Sequence, residues 1–122
     1  AKAWSVWEAS TSKLFQSQKS LHSFDNDKVA EAFARIECHY FTNKGFFESD
    51  NWLIDNVHKI KNISTEIIQG RYDVICPMVS AWELCKALPN AGFHIIPDSG
   101  HSMTEIGIRS KLIELTNRYS DA

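Results

Sequence analysis

Two short apolar runs, each followed by a helical pattern, restrict the fold of this chain more than any other feature. Residues 63–69 and 93–96 are strand-length runs, and each ends at a glycine or a proline. Helical spacing follows each run, over residues 78–88 and 102–119. Strand, helix, strand, helix with short connections is typical of parallel βα units, so we predict an α/β fold.

Each run also contains two adjacent isoleucines, Ile67-Ile68 and Ile95-Ile96. Neighbouring strand residues point to opposite faces, so each strand directs bulky apolar side chains to both faces of its sheet. Parallel sheets are stable when both faces are covered, and they rarely have only two strands. We therefore expect the C-terminal part of a larger α/β protein, whose N-terminal portion supplies the rest of the sheet. A self-contained domain is the alternative.

The chain changes character near residue 50. Two helical faces precede this point, one with Trp4, Trp7, Glu8 and Thr11, the other with Val29, Phe33, Ile36 and Tyr40. Residues 17–27 are polar and predict a solvated loop, and residues 51–60 predict a third helix. The sequence thus indicates a helical unit over residues 1–50 and an α/β unit over residues 51–122.

Charge and cysteine content exclude several classes of function. The net charge is −2 and no basic stripe is present, which argues against nucleic-acid and membrane partners. The odd number of cysteines (Cys38, Cys76 and Cys85) predicts reduced thiols in a cytoplasmic protein. Neither these cysteines nor the scattered histidines have metal-ligand spacing, so we expect no metal site.

A carboxylate and a histidine stand just after the two predicted strands. Asp73 ends the first turn, Gly-Arg-Tyr-Asp, and His101 ends the second, Asp-Ser-Gly-His. Parallel strands place such residues at one edge of the sheet, where α/β proteins build their sites. In a serine hydrolase the histidine takes the serine proton and the carboxylate orients it. Either residue alone is better explained as part of a turn or helix cap, whereas the pair favours catalysis.

Four segments carry a recognisable pattern: residues 3–8 (AWSVWE), 34–41 (ARIECHYF), 69–78 (QGRYDVICPM) and 98–102 (DSGHS). Together with SAWEL at residues 80–84, they resemble the proline iminopeptidases. These are serine exopeptidases of the α/β-hydrolase fold that remove N-terminal proline from peptides. The resemblance covers nearly the whole chain.

The resemblance implies that this chain is the C-terminal part of an α/β-hydrolase fold. Residues 1–50 would belong to the helical cap over the active site, and residues 51–122 to the core. Asp73 and His101 would be the acid and the base of a Ser-His-Asp triad, which needs no cofactor. Cys76 resembles the cysteine that makes these enzymes sensitive to thiol reagents without being the nucleophile.

The resemblance also implies a binding site for the substrate amine. Glu8 and Glu37 correspond to the cap glutamates that bind the terminal amine, and Phe41 to an aromatic side chain of the proline pocket. The spacing is compatible, because Glu37 and Phe41 share one helical stripe, and an acid on an apolar face needs a cationic partner. The alternative is that the glutamates pair with nearby bases such as Lys2 or Arg35.

The nucleophile is the missing part of this expected site. No Gly-x-Ser-x-Gly elbow occurs in the 122 residues. We therefore expect the chain alone to be inactive on its expected partner, a peptide with a free N-terminal proline. It would associate with the missing N-terminal portion of the same protein, or with itself through an exposed sheet edge. A non-catalytic binding module, and a hydrolase for another amide or ester, are the alternative functions.

Overall fold

A computed structural model describes residues 1–16 and 26–120. In these residues the order of helices and strands is α1 (Lys2–Thr11), α2 (Asp27–Thr42), α3 (Trp52–Asp55), β1 (Glu66–Gly70), α4 (Met78–Ala87), β2 (Gly92–Ile96) and α5 (Ile106–Ser120). Short 3₁₀ turns at Lys44–Phe46 and Val57–Ile60 stand before and after α3. None of the helices in the two described ranges has the length and apolar character that crossing a membrane requires. The predicted loop at 17–27 lies mostly outside these ranges.

The two strands pair in parallel, which confirms the predicted βα arrangement. Their register runs from Glu66 opposite Gly92 to Gly70 opposite Ile96. Helix α4 connects the strands, and both α4 and α5 pack against β1. Because the strands are parallel and in register, both carboxyl ends lie at the same edge of the sheet.

The apolar core of the described residues is small. Its buried members are Ala9, Ala30, Ile67, Leu88, Ile96, Ile108 and Leu115. In β2, Ile96 is buried whereas its neighbour Ile95 is 43% exposed. The second face of this strand is therefore only partly covered by the described residues.

Helices α1 and α2 pack against each other through small side chains. Ser5 and Ala30 are both fully buried, and the Ser5 hydroxyl donates to the Ala30 carbonyl oxygen at 3.3 Å. The Asn26 side chain caps α2 by accepting from the Lys28 backbone N–H at 3.0 Å. The close approach of the two helices brings Glu8 of α1 next to Glu37 of α2.

The predicted helix over residues 51–60 is broken in the structure. Helix α3 ends at Asp55, and a 3₁₀ turn begins at Val57. Between them, the Asn56 side chain donates to the Trp52 carbonyl oxygen at 2.8 Å. The Asn56 backbone N–H donates to the same oxygen at 3.1 Å, so both donors of this asparagine close the single turn of α-helix at its carboxyl end.

Two further boundaries differ from the sequence prediction, and both are set by tertiary contacts. Strand β1 begins at Glu66 rather than at Ile63, because its partner begins opposite Glu66. Helix α5 begins at Ile106 rather than at Ser102. The Ser102 N–H instead donates to the carbonyl oxygen of Ser12, at the end of α1.

Candidate active site

Asp73 and His101 meet at the carboxyl edge of the sheet, one turn beyond each strand. His101 Nδ1 lies 3.0 Å from Asp73 Oδ2. The Asp73 side chain is 7% exposed and the His101 side chain 38% exposed. A buried carboxylate thus holds one nitrogen of an accessible imidazole, and the other ring nitrogen is left for chemistry.

Backbone and side-chain donors hold the Asp73 carboxylate in place. Its Oδ1 accepts from the N–H groups of Ile75 at 3.0 Å and Cys76 at 2.8 Å. Its Oδ2 accepts from the side-chain amide of Gln69 at 3.3 Å. The N–H groups of the turn after β1 therefore orient the carboxylate toward His101.

The loops that carry the pair are also joined directly through the backbone. The Tyr72 N–H donates to the Ser99 carbonyl oxygen at 3.0 Å, and the Arg71 N–H donates to the Ile96 carbonyl oxygen at 2.9 Å. A Cβ atom on Gly70 would lie 1.8 Å from the Gly100 carbonyl oxygen, so only glycine fits at Gly70.

Glu8 and Glu37 come together where α1 packs on α2. Burial, a hydrogen bond to Glu37 and the Glu37 charge all raise the pKa of Glu8, whereas the nearby His101 charge opposes them. Glu8 Oε2 is buried and has no hydrogen-bond partner among the described residues. The two carboxyl groups therefore lie close together, and a buried oxygen of Glu8 accounts for part of its raised pKa.

Trp4 connects Glu37 to an apolar cavity that Phe41 helps to line. The indole N–H of Trp4 donates to Glu37 Oε2 at 2.5 Å. Trp4 and Phe41 line a cavity of about 300 Å³ with Ala34, Cys38 and Thr42. Phe41 itself is 65% exposed. The predicted binding residues thus form one continuous surface of carboxylates and aromatic rings.

The basic residues considered as partners of the glutamates have other carboxylates beside them. Lys2 Nζ lies 3.7 Å from Asp27, and Arg35 Nη1 lies 3.7 Å from Glu31. These contacts join exposed side chains and contribute little to stability. They provide these cations with carboxylate neighbours other than Glu8 and Glu37.

Cys76 adjoins the acid, but its environment suits a neutral thiol. Burial first, and then the negative charge of Asp73, raise the pKa of the Cys76 thiol. The thiolate is the nucleophilic form of cysteine, so this environment disfavours Cys76 as a nucleophile at neutral pH. Among residues 1–16 and 26–120, no group of three or more His, Cys, Asp or Glu side chains is arranged to hold a metal ion.

Sequence reasoning had assigned no role to Gln69, although it contacts the acid. Its buried side-chain amide donates to the Cys76 carbonyl oxygen at 3.0 Å as well as to Asp73. The available signal was a polar residue at the end of an apolar strand, one position before the turn that carries the acid.

An acid and a histidine that are hydrogen-bonded beyond adjacent parallel strands are the arrangement used by serine hydrolases of α/β fold. Comparison with known proteins agrees with this class. The chain is 56% identical over 119 residues to a probable proline iminopeptidase of Leptolyngbya boryana. These aligned residues make up 98% of the chain and 37% of that protein. It is also 53% identical over 113 residues to a proline iminopeptidase of Arabidopsis thaliana. Here the aligned residues make up 93% of the chain and 30% of that protein.

More distant relatives carry the same name. A proline iminopeptidase of Neisseria gonorrhoeae is 40% identical over 115 residues, which cover 93% of the chain and 35% of that protein. No protein-family model matches the chain. The chain is therefore homologous to the proline iminopeptidases along nearly its whole length, and it spans about a third of the length of the curated relatives it matches.

Proposed function

We propose that this chain is the C-terminal portion of a serine-type α/β-hydrolase that releases N-terminal proline from peptides. Residues 1–50 would form part of the cap, and residues 51–122 the C-terminal part of the core. One observation carries the proposal: Asp73 and His101 form a hydrogen-bonded pair, and the helix that carries Glu8 ends against the histidine loop, where the Ser12 carbonyl oxygen accepts from the His101 N–H. Homology to proline iminopeptidases over nearly the whole chain supports it.

In the proposed reaction, His101 acts through the ring nitrogen that does not face Asp73. This Nε2 atom takes the proton of a serine hydroxyl as the serine oxygen attacks the carbonyl carbon of the proline residue. The histidine then protonates the leaving amine, and an acyl-enzyme forms. Water, activated by the same histidine, attacks the acyl carbon and releases proline and the free serine. This chemistry needs no cofactor.

Glu8 and Glu37 would bind the protonated amine of the substrate. Two carboxyl groups held close together repel each other when both are ionised, and a cation between them removes that repulsion. Glu8 and Glu37 would each accept one N–H of the amine. The cavity beside Trp4 and Phe41 receives the pyrrolidine ring, so a free terminal proline satisfies both parts of the site.

The serine and the oxyanion hole would lie outside these 122 residues, because the chain has no nucleophile elbow. We expect the purified chain to release no p-nitroaniline from proline p-nitroanilide, whereas the longer enzyme that contains it releases the product. Turnover by the chain alone would contradict this part of the proposal. Absence of turnover by the longer enzyme would contradict the proposed function.

Substrate selection is tested by neutralising each glutamate in the longer enzyme. We expect Glu8→Gln or Glu37→Gln to lower kcat/KM for proline p-nitroanilide by about 10- to 100-fold, since each removes a charge-assisted hydrogen bond. Glu31→Gln is the matched control, because Glu31 is exposed on the same helix as Glu37. Full activity in both variants would instead support a hydrolase for another amide or ester.

A further inference from the structure

The carboxylate of Glu105 connects the histidine loop to the segment that follows α1. Its Oε1 accepts from the Gly100 N–H at 2.8 Å, and its Oε2 accepts from the Leu14 N–H at 3.0 Å. Gly100 immediately precedes His101, and Leu14 lies 91 residues before Glu105 in the sequence. One side chain thus joins two parts of the proposed site that are distant in sequence.

Local helix capping does not account for this arrangement. Ser102 and Glu105 have the spacing of a capping box, in which the glutamate would accept from the Ser102 N–H. Here that N–H donates to the Ser12 carbonyl oxygen at 2.8 Å. The Glu105 carboxylate instead binds two backbone donors that lie outside helix α5 and its N-terminal turn.

The two segments also fit closely around this carboxylate. The His101 N–H donates to the Ser12 carbonyl oxygen at 3.0 Å, so this oxygen accepts from two consecutive residues of the histidine loop. A Cβ atom on Gly100 would lie only 3.0 Å from the Leu14 nitrogen. The end of α1 therefore has a fixed position relative to the histidine loop.

Glu8 lies one helical turn before this junction, since the Ser12 N–H donates to the Glu8 carbonyl oxygen at 3.0 Å. We propose that Glu105 is a positioning residue that sets the spacing between the amine-binding carboxylate of Glu8 and the imidazole of His101. This inference depends on the proposed function. The spacing fixes how far the reacting carbonyl lies from the bound amine, and it thus limits cleavage to the first peptide bond.

The test uses Glu105→Gln in the longer enzyme. The amide oxygen can remain on the Gly100 N–H, the shorter contact, whereas the NH₂ group then faces the Leu14 N–H and repels it. We expect kcat/KM for proline p-nitroanilide to fall by about 10- to 100-fold, mainly through KM. An activated ester without an amine, p-nitrophenyl acetate, should keep its rate within about threefold, because Asp73 and Ser12 still hold His101.

Glu114→Gln is the control, because it neutralises an exposed glutamate on α5 that pairs with Lys111 and Arg118. It should leave both substrates unaffected. In a Glu8→Ala background, Glu105→Gln should lower kcat/KM for proline p-nitroanilide by less than about threefold, because the Glu8 carboxylate that Glu105 positions is already absent. An equal loss in both backgrounds, an equal loss for both substrates, or no loss in the wild-type background would overturn the proposal.

A folding defect is separated from a positioning defect by a second variant and a second readout. Glu105→Asp keeps the charge but is one methylene too short to reach both N–H groups, so it should reproduce the loss on the amine substrate. Amide hydrogen exchange on the longer enzyme should show faster exchange at Leu14 in Glu105→Gln than in Glu114→Gln. Unchanged hydrogen exchange at Leu14 would overturn the proposal for Glu105, whether or not the longer enzyme is active. Lack of activity in the wild-type longer enzyme would overturn only the proposed function.

Discussion

Asp73 accepts three hydrogen bonds besides its contact with His101, and a single side chain provides one of them. The N–H groups of Ile75 and Cys76 occupy Oδ1, and the Gln69 amide shares Oδ2 with His101. The backbone donors come with the turn itself. Gln69 is thus the donor to this carboxylate that a side-chain substitution can remove, together with its hydrogen bond to the Cys76 carbonyl oxygen of the same turn.

We expect Gln69→Leu in the longer enzyme to lower kcat for proline p-nitroanilide by about tenfold and to leave KM unchanged. The reason is that a loosened Asp73 orients His101 less well, and a hydrogen bond to a charged group contributes about 1.5–3 kcal/mol. Steady-state kinetics and a thermal melt measure the two effects separately. Gln16→Leu, at an exposed glutamine, is the control. A normal kcat in folded Gln69→Leu would contradict the expectation.

Glu8 makes stability depend on pH in a direction that its environment determines. Burial, the hydrogen bond to Glu37 and the Glu37 charge raise the pKa of Glu8, so the folded state holds this proton more tightly than the unfolded state. Its contribution to stability is complete below the ordinary pKa of a glutamate. This stabilising contribution is lost as the pH rises through the raised pKa that Glu8 has in the folded state.

We therefore expect the free energy of unfolding of the chain to fall over this window, and Glu8→Gln to remove that fall. Glutamine resembles the protonated acid and can donate a hydrogen bond to Glu37. The Glu8→Gln variant should therefore be more stable than the wild-type chain at neutral pH. Urea denaturation at a series of pH values from about 4 to about 8 measures both profiles. Parallel profiles for the two proteins would contradict the argument.

At the scale of elements, two strand glycines meet different neighbours. A Cβ atom on Gly70, at the end of β1, would lie 1.8 Å from the backbone carbonyl oxygen of Gly100. A Cβ atom on Gly92, at the start of β2, would lie equally close to Glu66 Oε2, the end of a flexible side chain. The Gly100 backbone cannot move without separating the two loops, whereas the Glu66 side chain can rotate away from an added Cβ atom.

We expect Gly70→Ala to reduce the free energy of unfolding by about 3 kcal/mol, because the acid and histidine loops must separate. Gly92→Ala, the matched control, should change it by no more than about 1 kcal/mol. Urea titrations of both variants provide the comparison. Equal losses would show that the close contact between the loops is not what requires glycine at Gly70.

The whole molecule exposes more surface than a compact protein of its mass. Its accessible surface is 8909 Å², whereas a compact monomer of 13.9 kDa exposes roughly 6,700 Å². Large apolar side chains contribute to the excess, among them Ile36, Phe41, Val74, Met103 and Ile106. Exposed apolar side chains in this number are typical of a surface that another part of a protein covers. Under the proposed function, the rest of the enzyme covers it.

We expect the isolated chain to bind the hydrophobic dye 8-anilinonaphthalene-1-sulfonate, and the longer enzyme to bind much less of it per mole. Light scattering on the same samples shows whether copies of the chain cover the surface by self-association through the sheet edge. Equal dye fluorescence for the two proteins would contradict the expectation that the longer enzyme covers this surface.

Several features of the fold and of the candidate site could be predicted from the sequence, because they depend on local patterns. The alternation of apolar runs and helical patterns predicted the parallel strands, and the turns after them predicted that Asp73 and His101 would lie at one edge. Helical spacing placed Glu37 and Phe41 on one stripe. These features depend on residues that are near one another in the chain, so their patterns are visible without a structure.

Tertiary contacts decided the rest, because a one-dimensional pattern does not record which distant backbone groups will meet. The later start of α5 depends on the bond from the Ser102 N–H to the distant Ser12 carbonyl oxygen, which no periodicity reveals. The same holds for Glu105, whose spacing from Ser102 does not reveal its two partners. Only the folded chain brings Leu14 and Gly100 to one carboxylate, because their donors become neighbours when α1 packs beside the histidine loop.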